Sequence, residues 1–295
     1  MHHGWAGAFA LISAFLWTLS AILFKKLGKE VLPAGMNLGK GLVALILLGI
    51  LILFTDRKPV SNHAIIFLGI SGILGISLGD TFYFESLVRL GPRLSLIVTI
   101  LIPVVTVILA AAILRESLLL TGWFGIFFTL LGVLLVLLEH EPAGVRPKDF
   151  KPGIIYGVLS VLCCAAGILF SKTALGSTSV LPATFIRQVA GVTGLIFLGL
   201  GNFKLGVWLK PVFNDPVLLK KLLFASFIGT FLGTLFSIMA LKYTYAAIAA
   251  TLNSTSPLFI LPLSFFVLKE KISLRAVIGS FVAVAGVSLI FLGGG

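Results

Sequence analysis

Asp80 is the residue of this sequence whose chemistry most needs an explanation. It stands about 9 Å inside the nearer end of a long apolar segment, taking 1.5 Å of helix rise per residue. A charge at that depth costs about 2.5–3.5 kcal/mol on insertion scales, and a short Asp side chain cannot reach the headgroups as Lys does. Asp80 therefore relays a proton or contacts a cationic ligand group, unless it forms a fixed pair with a buried base or lies near an interface. Tyr83 shares its helix face and can line the same cavity. Further along, Glu85 and Arg89 are four residues apart, which predicts an interfacial salt bridge between them.

Two basic residues stand deep in other apolar segments. Lys40 and Arg187 lie about 12 and 10 Å inside their segments by the same helix rise. Each could hold an anionic group, pair with Asp80, or extend toward the lipid headgroups. Arg187 is the better ligand candidate, because its planar fork of donors suits carboxylates and phosphates.

A strip of small polar residues precedes Pro257 and consists of Thr251, Asn253, Ser254, Thr255 and Ser256. Asn253 and Ser256 share a helix face, and Pro257 leaves one backbone carbonyl without its usual donor. The strip therefore predicts a polar cavity lining. The alternative is that its hydroxyls bond back to their own helix or join neighbouring helices.

Trp17 stands in the middle of its apolar segment, where it either stacks on a ligand or packs in the core. Asp80 is also the candidate for proton coupling. No catalytic residue, metal site or cofactor is predicted, since the histidines stand at or outside segment ends and no phosphate-binding Gly-Lys loop is present. The predicted substrate-binding residues are Trp17, Asp80, Tyr83, Thr99, Arg187, Asn253 and Ser256.

Membrane-spanning helices are the elements that would position these residues. Of the 295 residues, 59% are hydrophobic and 11% are charged, and the mean hydropathy is +1.17. Soluble domains carry more charge than this. The apolar runs are continuous rather than alternating, which indicates helices rather than barrel strands. The predicted fold is an all-α membrane protein with ten transmembrane helices, at 5–24, 32–54, 64–86, 94–114, 118–138, 153–170, 180–200, 219–241, 247–268 and 274–292.

The net charge of +12 comes mainly from residues between these runs, which favours contact with anionic lipid over binding of nucleic acid. Fifteen Lys and Arg residues stand in loops after odd-numbered spans and five in loops after even-numbered spans. The positive-inside rule then places both termini outside. The connection 201–218 carries aromatic residues among lysines, as an interfacial segment would.

An internal repeat organises the chain. Residues 1–138 form one five-helix half, 139–152 a polar linker and 153–295 a second half. Because five is odd, the halves enter the membrane in opposite senses, an arrangement typical of secondary transporters with a mid-membrane site. An offset of 147 pairs Ser13 with Ser160, Lys25 with Lys172 and Lys40 with Arg187. An offset of 154 pairs Gly75 with Gly229, Gly79 with Gly233, Pro103 with Pro257, Glu116 with Glu270, Gly125 with Gly279 and Gly132 with Gly286. The Gly-xxx-Gly pairs at 75–79 and 229–233 predict close contact between helices.

The sequence resembles EamA-type members of the drug/metabolite transporter superfamily over nearly its whole length. The resemblance rests on the twin halves and on two duplicated motifs. One runs from Ala10 to Lys25 with its copy at 157–172, and the other from Pro103 to Glu116 with its copy at 257–270. It implies secondary transport of a small metabolite and leaves the substrate open.

The function expected from these features is transport of a small metabolite across a lipid bilayer by alternating access, either proton-coupled or as an exchanger. Two competing interpretations are a membrane-embedded lipid-modifying enzyme and a non-transporting membrane scaffold. The enzyme would need a cluster of catalytic groups near one membrane face, and the sequence shows none.

Overall fold

The computed structural model describes residues 3–54, 59–114, 120–137, 147–175, 178–243, 252, 255–269 and 272–292, and within these ranges all regular structure is helical. The first half contains α1 (His3–Leu27), α2 (Pro33–Leu53), α3 (Asn62–Gly72), a π-helix π1 (Ile73–Gly79), α4 (Asp80–Thr99), α5 (Leu101–Leu114) and α6 (Leu120–Leu137). The second contains α7 (Pro147–Leu175), α8 (Val180–Gly201), α9 (Leu205–Asn214), α10 (Pro216–Ala225), a π-helix π2 (Ser226–Leu232), α11 (Gly233–Tyr243), α12 (Ser256–Leu268) and α13 (Leu274–Leu292).

Length and apolar composition make this a multi-pass membrane protein. Six helical runs in the described part are long and apolar enough to cross a bilayer, and three shorter apolar helices accompany them. The expected all-helical fold is therefore confirmed, whereas the number ten stays a prediction. α7 begins at Pro147, six residues before the predicted sixth span.

Gly91 interrupts the longest helical run, Asn62–Thr99, toward its C-terminal end. Its φ of +82° is a left-handed conformation that glycine adopts without steric cost, and Pro92 follows it. The predicted third and fourth spans lie on opposite sides of this break.

Each half contains a π-helix at a corresponding place. The offset of 154 carries π1 onto residues 227–233, which overlap π2 over six residues. π-helices are rare and often mark functional places, because their i→i+5 bonds rotate the following helix and leave carbonyl groups free. Neither π-helix is visible in the apolar pattern of the residues.

Small residues bring helices of the two halves together. A Cβ built on Gly229 of π2 would lie 2.1 Å from Ser20 Oγ of α1, and one built on Gly167 of α7 would lie 3.1 Å from the nitrogen of Gly75 in π1. Gly233 and Gly79 in turn face Trp17 and Cys164. These contacts confirm that the Gly-xxx-Gly pairs serve close helix packing, and each contact is the repeat copy of another.

α6 and α13 form a further cross-half contact built on glycine. A Cβ on Gly125 would lie 2.7 Å from the carbonyl oxygen of Gly286, and a Cβ on Gly132 would lie 2.5 Å from that of Gly279. The first number of each pair rises while the second falls, so the two helices pack antiparallel.

The predicted interfacial segment contains the short helix α9. Its Trp208 is buried against Gly35 and Gly199, whereas Phe203 just before it is 94% exposed. This alternation of buried and exposed aromatic residues suits a helix lying along the membrane surface.

Candidate functional site

An ion pair joins α2 to the start of α4. Lys40 Nζ donates a hydrogen bond to Asp80 Oδ2 at 2.5 Å, and the Lys40 ammonium also lies 5.3 Å from the ring centre of Phe84. The Lys40 side chain is nearly buried, while that of Asp80 is 28% exposed. Of the roles that the sequence left open for Lys40, the structure shows the pair with Asp80.

Asn37 lies one turn before Lys40 and binds the backbone of π1. Its Nδ2 donates to the carbonyl oxygen of Ile76 at 2.7 Å and to Thr81 Oγ1 at 2.9 Å, with a longer contact of 3.3 Å to the carbonyl of Ser77. Asn37 thus ties α2 to the C-terminal part of π1 and to the start of α4. Sequence analysis did not select Asn37, although a buried Asn sharing a face with Lys40 was the available signal.

Arg187 enters this region from α8. Its backbone packs against Gly72, and its Nη2 lies 3.4 Å from the position a Cβ would take on Gly75. Asp80 and Cys164 are both close enough to interact with the guanidinium electrostatically. Within the described part of the chain, the guanidinium donates no hydrogen bond and forms no ion pair, and its Nε is buried without a partner. The neighbouring Gln188 instead donates to the carbonyl of Gly41 at 3.1 Å.

Three buried polar atoms near π1 have no partner in the described residues: Asn37 Oδ1, Ser77 Oγ and Arg187 Nε. Buried polar atoms are nearly always hydrogen-bonded, so a group of unsatisfied atoms is expected where a ligand or water binds. We call Asn37, Lys40, Ser77, Asp80 and Arg187 the π1 cluster.

Tyr83 and Trp17 occupy two different places. Tyr83 is half-buried and packs on Phe84 at a centroid distance of 5.6 Å, one turn from Asp80. The Trp17 indole is half-buried against Gly233, where a Cβ would lie 2.7 Å from its Nε1. Trp17 is the repeat counterpart of Cys164 and thus lies beside π2, whereas Cys164 lies beside π1.

Thr99 and Ser256 make hydrogen bonds that fit the packing alternative. Thr99 Oγ1 donates back to the carbonyl of Leu96 at 2.8 Å. Ser256 Oγ donates to the carbonyl of Ala14 at 3.3 Å, and Thr18 Oγ1 donates to the carbonyl of Ser256 at 3.2 Å. Ser256 therefore joins α12 to α1. Asn253, Thr251 and Ser254 lie outside the described residues.

A second charged group stands in the middle of α4, just before Gly91. Arg89 contacts Glu85 of its own helix at 3.0 Å, which confirms the predicted i,i+4 salt bridge, and also Asp149 of α7 at 3.6 Å. Its guanidinium stacks 5.2 Å from the ring centre of Tyr156. A cavity of about 350 Å³ opens beside it, lined in part by Lys29 and Glu30. We call Glu85, Arg89, Asp149 and Tyr156 the Arg89 cluster.

Comparison with known proteins decides the family. The model of the EamA-like transporter family matches residues 4–138 and again residues 151–292. The chain belongs to the EamA-like transporter family. The resemblance seen in the duplicated motifs is confirmed, and the protein is an integral multi-pass membrane transporter.

Relatives of this EamA-like protein carry transporter names. An uncharacterized transporter of Archaeoglobus fulgidus is 26% identical over 96% of both chains. The uncharacterized transporter YyaM of Bacillus subtilis is 24% identical over 84% of this chain and 80% of its own. A crystal structure of another protein, 17% identical, superposes with a TM-score of 0.66 and covers 99% of this chain and 98% of its own, which shows a shared fold.

The π1 cluster of this EamA-like protein draws on both matched regions. Lys40 and Asp80 lie in the first match, and Arg187 lies in the second. The Arg89 cluster reaches the second match only through Tyr156, because Asp149 stands just before that match.

Proposed function

We propose that this EamA-like protein is a secondary transporter that moves a small polar metabolite past Lys40, Asp80 and Arg187 by alternating access. The observation that carries this proposal is the position of the π1 cluster. Three charged side chains from both matched regions meet deep within apolar helices, beside a π-helix. Charged residues at such depth mark substrate or ion pathways. Since hydrocarbon does not tolerate an exposed carboxylate, the partly exposed Asp80 side chain favours a water-accessible cavity beside it.

Alternating access by inverted halves is supported by how the helices pack. α1 runs antiparallel to the continuous run of α10, π2 and α11, since Ser13 bonds Gly233 and Ser20 bonds Ala225. α7 runs antiparallel to α3 and α4, and α6 to α13. In a ten-span chain whose halves have five spans each, an odd-numbered and an even-numbered span run in opposite directions. The contacts of span one with eight, three with six and five with ten each join such a pair, so their antiparallel packing fits this arrangement. An exchange of conformation between the halves would open the cluster to one side and then the other.

Asp80 is the proposed coupling residue. In the state described, Lys40 neutralises its carboxylate. A proton on Asp80, or an ionic group of the substrate, competes with this pair, so that binding is linked to release of Lys40. Proton-coupled transport and exchange both use this competition, and they differ in whether a pH gradient alone drives uptake.

The test is uptake into proteoliposomes. Compounds from a panel of amino acids, organic acids, amines, nucleosides and sugars are first selected by their effect on thermal unfolding, and then offered as labelled substrates. We expect saturable uptake of at least one stabilising compound, with a pH gradient or internal substrate as driving force. The lipid-modifying enzyme and the scaffold both predict no uptake, so a correctly inserted, folded protein that moves no stabilising compound counts against transport.

We further propose that both termini face outward. Loops after odd-numbered spans hold fifteen basic residues and loops after even-numbered spans hold five, and the loops with more basic residues lie in the cytoplasm by the positive-inside rule. The Arg89 cluster and the lysines around α9 would then lie in the cytoplasm. A reporter that fluoresces only in the cytoplasm, fused after Gly295, should stay dark. A bright, intact full-length fusion would reverse the orientation.

A further inference from the structure

We propose that the substrate is an anion and that Arg187 binds its oxyanion group, a carboxylate or a phosphate, beside Gly75. This inference rests on the proposed transport function and assigns the substrate class of the same site. Its basis is the distribution of charge and hydrogen bonds within the π1 cluster.

The charges of the cluster do not cancel. Asp80 is directly paired with Lys40 at 2.5 Å, so the Lys40 ammonium already balances its negative charge. Arg187 interacts with Asp80 only over a longer distance and lacks any hydrogen-bonded or ion-pair partner in the described part of the chain. The cluster therefore carries one uncompensated positive charge. A buried charge without a partner is strongly unfavourable, so an anion that enters the site gains more there than a neutral or cationic compound.

The space beside the guanidinium is suited to such a group. A Cβ built on Gly75 would lie 3.4 Å from Nη2 of Arg187. Among the described residues outside the glycine's own stretch of helix, this is the one atom within 4 Å. The missing side chain thus leaves one side of the fork open. Arginine donors lie in a plane and match the two oxygens of a carboxylate or two of a phosphate. At the equivalent place in the other half, Gly229 is filled by Ser20 at 2.1 Å, which leaves no comparable opening.

Binding to purified protein separates this inference from its rivals. The probes are matched sets, each with a charged and a neutral form: lactate and lactamide, benzoate and benzamide, and a sugar phosphate and its sugar, together with primary amines. We expect thermal stabilisation by carboxylates or by phosphate esters, and the responding series identifies the oxyanion. Stabilisation by amines or neutral analogues alone would overturn the inference.

Substitutions then locate the anion. Arg187→Gln should weaken binding of the responding anion by about 10- to 100-fold, the size expected for losing a charge-assisted pair, and Arg187→Lys should recover part of it. Lys210→Gln removes an exposed positive charge on α9 and serves as the control for overall charge.

Gly75→Ala keeps the experiment decisive if an Arg187 variant fails to fold. The added methyl meets only ordinary contact and should leave the fold intact, yet it occupies the space beside the fork, so anion affinity should fall several-fold. Gly69→Ala, at a position with nothing within 4 Å, should change nothing. Equal affinities in the two variants would refute this location. Anions that bind but are never taken up into proteoliposomes would instead refute the transport function, and cations that are taken up would refute only the anionic substrate.

Discussion

The two π-helical regions share a backbone design but differ in the side chains around them. π1 is surrounded by Asn37, Lys40, Asp80 and Arg187, with a sulfur at Cys164 against Gly79. π2 is contacted by hydroxyls and an indole: Ser20 donates to the carbonyl of Ala225, and Trp17 lies against Gly233. Thr234 stands where Asp80 stands in the first half. The π-helical geometry therefore occurs in both halves, whereas the acid occurs at one of the two equivalent positions. This difference points to chemistry rather than folding as the reason for Asp80.

Replacing the acid should have the largest effect. Asp80→Asn keeps the size of the side chain but removes its charge and its ability to release a proton, so transport should fall by roughly 100-fold or more. Initial uptake rates in proteoliposomes measure this, with Thr234→Ala as the matched change at π2, expected to be near neutral. Full uptake by folded Asp80→Asn with unchanged pH dependence would falsify the coupling role, and loss of folding alone would favour a structural ion pair.

Asn37→Ala should have the next largest effect, which is a loss of stability of the folded protein. It removes the donor to the carbonyl of Ile76 and to Thr81 Oγ1, at a cost of about 1–2 kcal/mol in the free energy of unfolding. Its repeat counterpart is Thr184, whose hydroxyl already bonds Val180 within its own helix, so Thr184→Ala should cost little. Unfolding equilibria in mixed detergent compare the two, and similar losses would mean that π1 needs no side-chain support.

The polar strip of the second half provides a third comparison, in substrate affinity. Asn253→Ala should weaken binding by about 10-fold if Asn253 donates to the substrate. Thr99→Ala, at its counterpart in the first half, should do less because the Thr99 hydroxyl is already bonded to Leu96. Titration of a transported compound against both purified variants measures the difference, and equal effects return the strip to helix packing.

Arg89→Gln should have the smallest effect. The ion pairs of Arg89 are partly exposed, and such pairs contribute about 0.2–1 kcal/mol, or a change of about 1.4- to five-fold in a conformational equilibrium. Since Arg89 ties α4 to α7 beside the cavity, its loss should favour the state open on that side. Labelling of a cysteine introduced at Lys29 reports the opening. Lys148→Gln is the control, because Lys148 is an exposed neighbour of Asp149, and labelling no faster than in that control contradicts the role.

The sequence was enough to predict the helices, the close glycine contacts and the salt bridge between Glu85 and Arg89, because each depends on spacing along one helix. It also named the pair of Lys40 with Asp80 among several alternatives, since the depth of a charge can be read from an apolar run. The contacts that decide among these alternatives join residues of different helices. They depend on helix rotation, which π1 alters through a change in bonding pattern that leaves no mark on composition.

The same limit explains the remaining omissions. Asn37 was not selected because its role lies in the carbonyls of a π-helix that the sequence did not indicate. Asp149 falls within the segment interpreted as a polar linker, so its contact with Arg89 was not foreseen. Trp17 and Asp80 appeared in one predicted set because both are unusual within apolar runs, yet they lie beside different π-helices.

The glycine contact between α6 and α13 has a particular symmetry. The offset of 154 turns Gly125 into Gly279 and Gly132 into Gly286, so exchanging the halves converts the pair of Gly125 with Gly286 into the pair of Gly279 with Gly132. The contact is thus isologous, as in a two-fold dimer. If transport exchanges the conformations of the halves, contacts such as α1 with π2 and α7 with π1 swap with each other, whereas this one maps onto itself, as does the contact of Gly41 in α2 with Gln188 in α8. The contact between α6 and α13 can therefore remain closed throughout the cycle and act as the fulcrum about which the two halves rock.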